Sequence, residues 1–158
     1  MFNTNFIDLT ESYAKKMDLN YSRIDDNEIS VQLNSSKTEY YLSAIFKPDY
    51  DMIYFSCDMN LHVTNDRYSE IADAILQANE RIWVGHFDFL SHDSRIVYSF
   101  TIPMVSSFLA DEDITENTIN LIANECDRFY DYFAMIINST EIPDFSIGSI
   151  FLESAGEA

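Results

Sequence analysis

The sequence predicts an α+β fold, an antiparallel sheet with helices in the order α-β-β-β-α-β-β-α. Three observations carry that prediction. Apolar residues recur at helical spacing in three stretches, and five other stretches alternate apolar and polar residues with a period of two. The links among the first three alternating stretches are too short for parallel crossovers, so those strands pair antiparallel. At 158 residues the chain can bury a core without disulfide staples, and it reads as one domain over 1–158.

The first helix is expected over about Asn5 to Asp18, with Phe6, Leu9, Tyr13 and Met17 on its apolar stripe. Three strands follow. Ile29, Val31 and Leu33 alternate with Glu28, Ser30 and Gln32; Tyr40, Leu42, Ala44 and Phe46 alternate with Tyr41, Ser43 and Ile45; Ile53, Phe55, Cys57 and Met59 alternate with Tyr54, Ser56 and Asp58. Asn34-Ser35-Ser36 and the proline-led Pro48 to Asp51 supply the turns. The second helix carries Ile71, Ile75, Ala78 and Ile82 on one stripe, with Asn65 or Asp66 as its expected N-cap. Gly85 falls just past that stripe, where a chain leaving a helix often needs a positive φ. A hairpin comes next: Phe87 and Phe89, the polar turn Ser91 to Ser94, then Ile96, Tyr98, Phe100 and Ile102. The acidic link Ala110 to Asp113 leads into a long helix from about Thr115 to Asn138. Ile119, Ile122, Cys126, Phe129, Phe133 and Ile136 form its core stripe. Beyond Thr140, Ile142, Phe145, Ile147, Ile150, Phe151 and Leu152 keep the tail apolar enough to pack.

Composition narrows function by exclusion. Twenty-seven acidic residues against nine basic ones leave a net charge of −18, a field that repels nucleic acid and anionic membranes. From Asp111 to Ala158, eleven acids face one base, Arg128. The 12 Phe, 10 Tyr and single Trp require a ring-rich core or an adhesive surface. No apolar run approaches the ~20 residues needed to span a bilayer, and the N-terminus lacks the basic and apolar regions of a secretory signal. A cytoplasmic address follows by elimination.

No catalytic constellation stands out. His86 with Asp88, His92 with Asp93, and His62 could be fragments of a metal site. Yet no His-x-x-x-His or Cys-x-x-Cys spacing supports one, and surface or capping roles explain them better. Cys57 and Cys126 lie on apolar stripes, so core filling outweighs redox pairing. With glycine only at 85, 148 and 156, no phosphate-cradling loop exists, and no Gly-x-Ser-x-Gly elbow surrounds a serine. No cofactor is expected. Trp83, at the junction after the second helix, is expected either to plug the core beneath the turn or to anchor a binding surface. Tyr41, Ile45, Tyr54 and Val97 fall on the strand face opposite the core residues. That apolar second face calls for a covering helix, a second subunit or a client.

Several segments resemble one family. Asn79 to Phe89 (NERIWVGHFDF), Val97-Tyr98, Thr101-Ile102-Pro103, Glu125 to Tyr130 (ECDRFY) and Tyr54 to Asp58 (YFSCD) are similar to the YbjN family of bacterial proteins. The closing Leu152 to Ala158 looks like the C-terminus of its alphaproteobacterial branch. The resemblance runs from about residue 20 to the end. It implies a fold similar to type III secretion chaperones and a label of sensory-transduction regulator, with no established activity. Two departures stand out: Ser99 where the family often has a basic residue, and Thr64-Asn65 where it often has proline.

The expected role is therefore a non-enzymatic cytoplasmic adaptor or regulator that binds a protein segment, chaperone-like, through an apolar sheet or helix surface. Trp83, Tyr41, Ile45, Tyr54 and Val97 are the candidate contacts. Its partners are expected to be proteins, including a second copy in a homodimer, and neither nucleic acid nor membrane. Two other readings remain open: a small-molecule sensor with an apolar pocket between sheet and helix, and an acidic mimic of a polyanion.

Overall fold

A computed structural model describes residues 5–104 and 111–139. Helix α1 (Phe6–Lys16) is followed by strands β1 (Tyr21–Arg23), β2 (Glu28–Asn34), β3 (Glu39–Lys47) and β4 (Met52–His62). Helix α2 (Tyr68–Asn79) then precedes β5 (His86–Leu90), β6 (Arg95–Pro103) and α3 (Glu112–Asn138). The strands form one antiparallel sheet in the order β1-β2-β3-β4-β6-β5. The predicted α+β class and its helices are present, with a sixth strand that periodicity did not reveal. Three residues are too few to show alternation, and β1 exists because Tyr21 to Arg23 pair with Val31 to Ile29.

The helices start where short polar side chains cap them. Asn5 Oδ1 accepts the Asp8 amide at 2.8 Å, and Asp111 Oδ1 accepts that of Ile114 at 2.7 Å. Glu112 and Asp113 sit in the first turn of α3, where the helix dipole favours negative charge. The start of α2 differs from expectation: Asn65 and Asp66 lie in a separate 3-10 turn, and Arg67 precedes the helix without a side-chain cap. The buried side of α1 is also rotated from the expected stripe. Phe6, Ile7, Leu9, Thr10 and Ala14 are buried, whereas Met17 is 49 % exposed at the C-terminal end. Thr10 enters the core because its hydroxyl donates to the Phe6 carbonyl at 2.7 Å, which removes the cost of burying it.

All three helices pack on one sheet face. Helix α1 lies over β2 and β3, α2 over β5, and α3 over β4 and β6. The register aligns Val31, Leu42, Cys57, Tyr98 and Phe87 across five strands beneath them. Phe87 meets Tyr98, Phe129 and Phe133 edge-on, with ring centroids 5.1–5.3 Å apart, the arrangement the ring quadrupoles favour. Cys57 and Cys126 are both buried and free in this layer. A hydrogen bond to Cys57, followed by burial, raises the Cys126 thiol well above its ordinary value, which disfavours the reactive thiolate there.

Tyr40 reaches up from the sheet and donates to Asp127 Oδ1 of α3 at 2.6 Å. Burial first, then that hydrogen bond, pushes its phenol far above the usual tyrosine range. Burial does the same to Tyr98, aided by the Glu125 carboxylate. Both folded pKa values exceed the unfolded value of about 10, so their contribution is intact below about pH 10 and declines above it. Denaturation midpoints followed from pH 8 to pH 12 are expected to fall on the alkaline side, and Tyr40→Phe should flatten that fall. An equally steep fall in the variant would remove Tyr40 as its source.

Gly85 has φ +70, and a Cβ there would meet Tyr98 Cζ at 2.6 Å and the Ser99 carbonyl at 2.7 Å. Gly85→Val should therefore lower unfolding stability by at least about 1–3 kcal/mol, the cost of strained backbone alone. A wild-type denaturation midpoint in the variant would show that the chain leaves α2 by another route.

Candidate functional site

The strand period that buries one face defines the other. On the other face, called helix-free because no described helix packs on it, Ser22, Ser30, Ser43, Ser56 and Ser99 stand side by side across five strands, and His86 completes the row on the sixth. At ~4.8 Å per strand the five serines span about 19 Å and the row with His86 about 24 Å. Larger residues border it on both sides. One border reads Gln32, Tyr41, Asp58, Val97 and Asp88; the other reads Glu28, Ile45, Tyr54 and Thr101.

Three of the expected sheet contacts are accessible here, and one is not. Tyr41 is 42 % exposed, while Ile45 and Tyr54 are partly exposed. Tyr54 is held in place by a 3.1 Å hydrogen bond between its hydroxyl and Ser99 Oγ. Val97 is buried, at 2 % exposure, yet it stands apart from the main core cluster. It therefore supports this face from within rather than offering a contact. Ser99, which replaces a basic residue often found in the family, is buried too and partners a tyrosine.

Trp83 belongs to a different place. It is 98 % exposed, so the expectation that it plugs the core is overturned. The reason is that Tyr98 fills the space beneath the turn and donates its hydroxyl to the Val84 carbonyl. The turn is held on both sides of the indole. Asn79 Oδ1 accepts the Phe87 amide at 2.7 Å, Asn79 Nδ2 donates to the Phe87 carbonyl at 3.0 Å, and Arg81 Nη1 donates to the Gln77 carbonyl at 2.8 Å. Asn79 also occupies backbone groups of the edge strand β5 that would otherwise pair with another chain. Leu76, at 66 % exposure, and Val84 add apolar surface in the same stretch. The spacing of Ile82 pointed to the junction, but no sequence signal showed that Tyr98 would take the space.

The other expected candidates gather into no site. His62 and His86 are exposed strand residues, and His92 pairs with Asp93 at 3.0 Å in the exposed hairpin turn. Among the described residues no group of three His, Cys, Asp or Glu is placed to hold a metal ion. A cavity of about 140 Å³ lies between α1 and the start of α3, lined by Leu9, Ser12, Tyr13, Lys16, Glu112 and Glu116. Lys16 and Glu116 pair across it at 3.2 Å. This is a charged crevice between helices, unlike the apolar pocket between sheet and helix that a sensor reading expects. The apolar residues expected beyond Thr140 lie outside the described residues.

Residues 7–135 match the model of the YbjN family, described as "Putative bacterial sensory transduction regulator". The chain belongs to the YbjN family. No curated protein matches its sequence. Two solved structures share the fold. ExsC, in the crystal structure of the ExsC-ExsE complex, superimposes with a TM-score of 0.58 at 10% identity, covering 84% of this chain and 93% of that one. YbjN from E. coli gives a TM-score of 0.54 at 9% identity, covering 87% and 91%. At these identities the likeness concerns the fold, an α+β sheet-and-helix architecture of the type III secretion chaperone kind. Among the described residues no helix is long and apolar enough to cross a membrane.

Trp83 is the only tryptophan, so fluorescence reads its surroundings directly. Acrylamide quenching should approach that of free tryptophan, and Trp83→Ala should change unfolding stability by less than about 0.5 kcal/mol. Emission shielded from quencher in a dilute sample would mean that something covers the indole in solution.

Proposed function

We propose that this protein is a non-enzymatic cytoplasmic adaptor or regulator that holds a segment of another protein, chaperone-like, on the helix-free face of its sheet. The observation that carries this reading is the one-sided placement of α1, α2 and α3. They leave Tyr41, Ile45 and Tyr54 on a face with which no described helix packs. Partly exposed aromatic and aliphatic groups on a rigid sheet give a binding surface whose ordering cost is already met. The fold is that of ExsC, which was crystallised in complex with ExsE. In this reading the domain spans 1–158 and the chain is of the alphaproteobacterial branch, which the resemblance of Leu152 to Ala158 to that branch's C-terminus supports.

Self-pairing belongs to the same proposal and uses the Trp83 surface. Its neighbourhood is nearly balanced in charge, with Arg81 beside Glu80 at 3.9 Å and Arg128 beside Glu125 at 3.3 Å. Two copies carry twice −18, so apolar burial must offset their repulsion, and pairing should strengthen as salt screens it.

The binding face is tested by a photo-crosslinking residue introduced at Ile45 and, as control, at the exposed α3 position Asn120, in the native cell. Discrete protein adducts at Ile45 but not at Asn120 are expected. No adducts, or the same set at both positions, removes the sheet face as the binding surface. Sedimentation of the purified protein at low and high salt tests pairing, and a monomer in both at tens of micromolar ends that part of the reading.

A further inference from the structure

The charges on the helix-free face say what kind of segment fits it. Glu28, Glu39, Asp58 and Asp88 belong to this face, against Lys47 and Arg95. Arg95 lies 3.9 Å from Asp58, so its charge is already partly matched from within the protein. Apolar groups are thus set among surplus carboxylates, in a molecule of net charge −18. A second copy would bring like charge to this face. So would residues 140–158, where Glu141, Asp144, Glu153 and Glu157 have no lysine or arginine to balance them. Both are disfavoured on electrostatic grounds.

We propose that the occupant is a basic amphipathic segment of a partner protein, its aliphatic side on the serine row between Tyr41 and Ile45 and its lysines or arginines against the bordering carboxylates. This rests on the protein-binding reading above and adds the chemistry of the ligand. The serine row shapes the fit, because small side chains flanked by Tyr41 and Ile45 leave a shallow furrow across the strands. Such a furrow suits a helix laid over the sheet, since helix on sheet is a standard way to bury one apolar stripe. The five serines span four strand spacings, ~19 Å, which corresponds to about 13 helical residues at ~1.5 Å each.

The test uses the full chain and three fluorescein-labelled peptides of that length: an amphipathic Leu/Lys helix, its Leu/Glu counterpart, and oligolysine. Anisotropy at about 0.15 M salt, where long-range attraction is screened beyond ~8 Å, is expected to show binding of the Leu/Lys peptide only, at least tenfold tighter than oligolysine. Tyr41→Ser with Ile45→Ser should weaken it tenfold or more, with circular dichroism confirming the fold. Should that variant not fold, Glu28→Gln with Glu39→Gln tests the carboxylates at a partly exposed and an exposed position and is expected to weaken binding severalfold. Wild-type affinity in the folded Tyr41/Ile45 variant would overturn the proposal by placing the peptide elsewhere. Equal binding of Leu/Lys and Leu/Glu peptides would overturn it by showing a charge-blind face, and equal binding of oligolysine would reduce it to the general field. Tighter binding after removal of residues 140–158 would overturn it in favour of the chain's own segment. Adducts at Ile45 without peptide binding would refute the basic segment and leave the adaptor reading intact; loss of both would refute both.

Discussion

The structure depends on one constraint: a two-residue period held in register across β2, β3, β4 and β6 as far as Asp58 of β4, beyond which the β4–β6 pairing shifts at a bulge. Because successive side chains point to opposite faces, a slip of one residue in any pair would move its apolar set to the wrong side. The register fixes Val31, Leu42, Cys57 and Tyr98 under the helices, and it fixes the serine row on the other face in the same stroke. Core and candidate binding surface are therefore not independent. A substitution that shifted the pairing would lose both.

Charge works differently in this protein. Eight of the nine lysines and arginines lie within 4.0 Å of a carboxylate. Individually such surface pairs are worth little. Together they mean that much of the available positive charge is already engaged locally, and the surplus of acids is left to solvent and to partners. Arg23 shows the structural use of one such cation. It ties the short β1 to α1 through Asp8 at 2.7 Å and Glu11 at 2.8 Å. Hydrogen bonds from Lys15 and Arg23 in turn hold the Glu11 carboxyl below its ordinary value.

The two candidate surfaces differ in what holds them. Tyr41, Ile45 and Tyr54 are displayed by regular strands, so their spacing is set by the sheet. Trp83 is displayed by a turn whose shape comes from Asn79, Tyr98 and Gly85. Neither arrangement is what a domain working alone would require. An indole that is 98 % exposed adds little to the stability of the monomer, while rigid display lowers the entropic cost of binding.

By itself the sequence determined the α+β class, the helices, five of the six strands and the face each strand residue occupies, because those follow from local periods. It also set the charge, and it placed Gly85 at a positive φ. Only the tertiary structure decided where the faces end up. It rotated α1 onto Ile7 and Ala14, created β1 by pairing, buried Val97 on the helix-free side, and put Trp83 in water because Tyr98 already occupied the space beneath it. Each of these depends on contacts between residues distant in the chain, and no local spacing records which of two apolar groups will win the same volume.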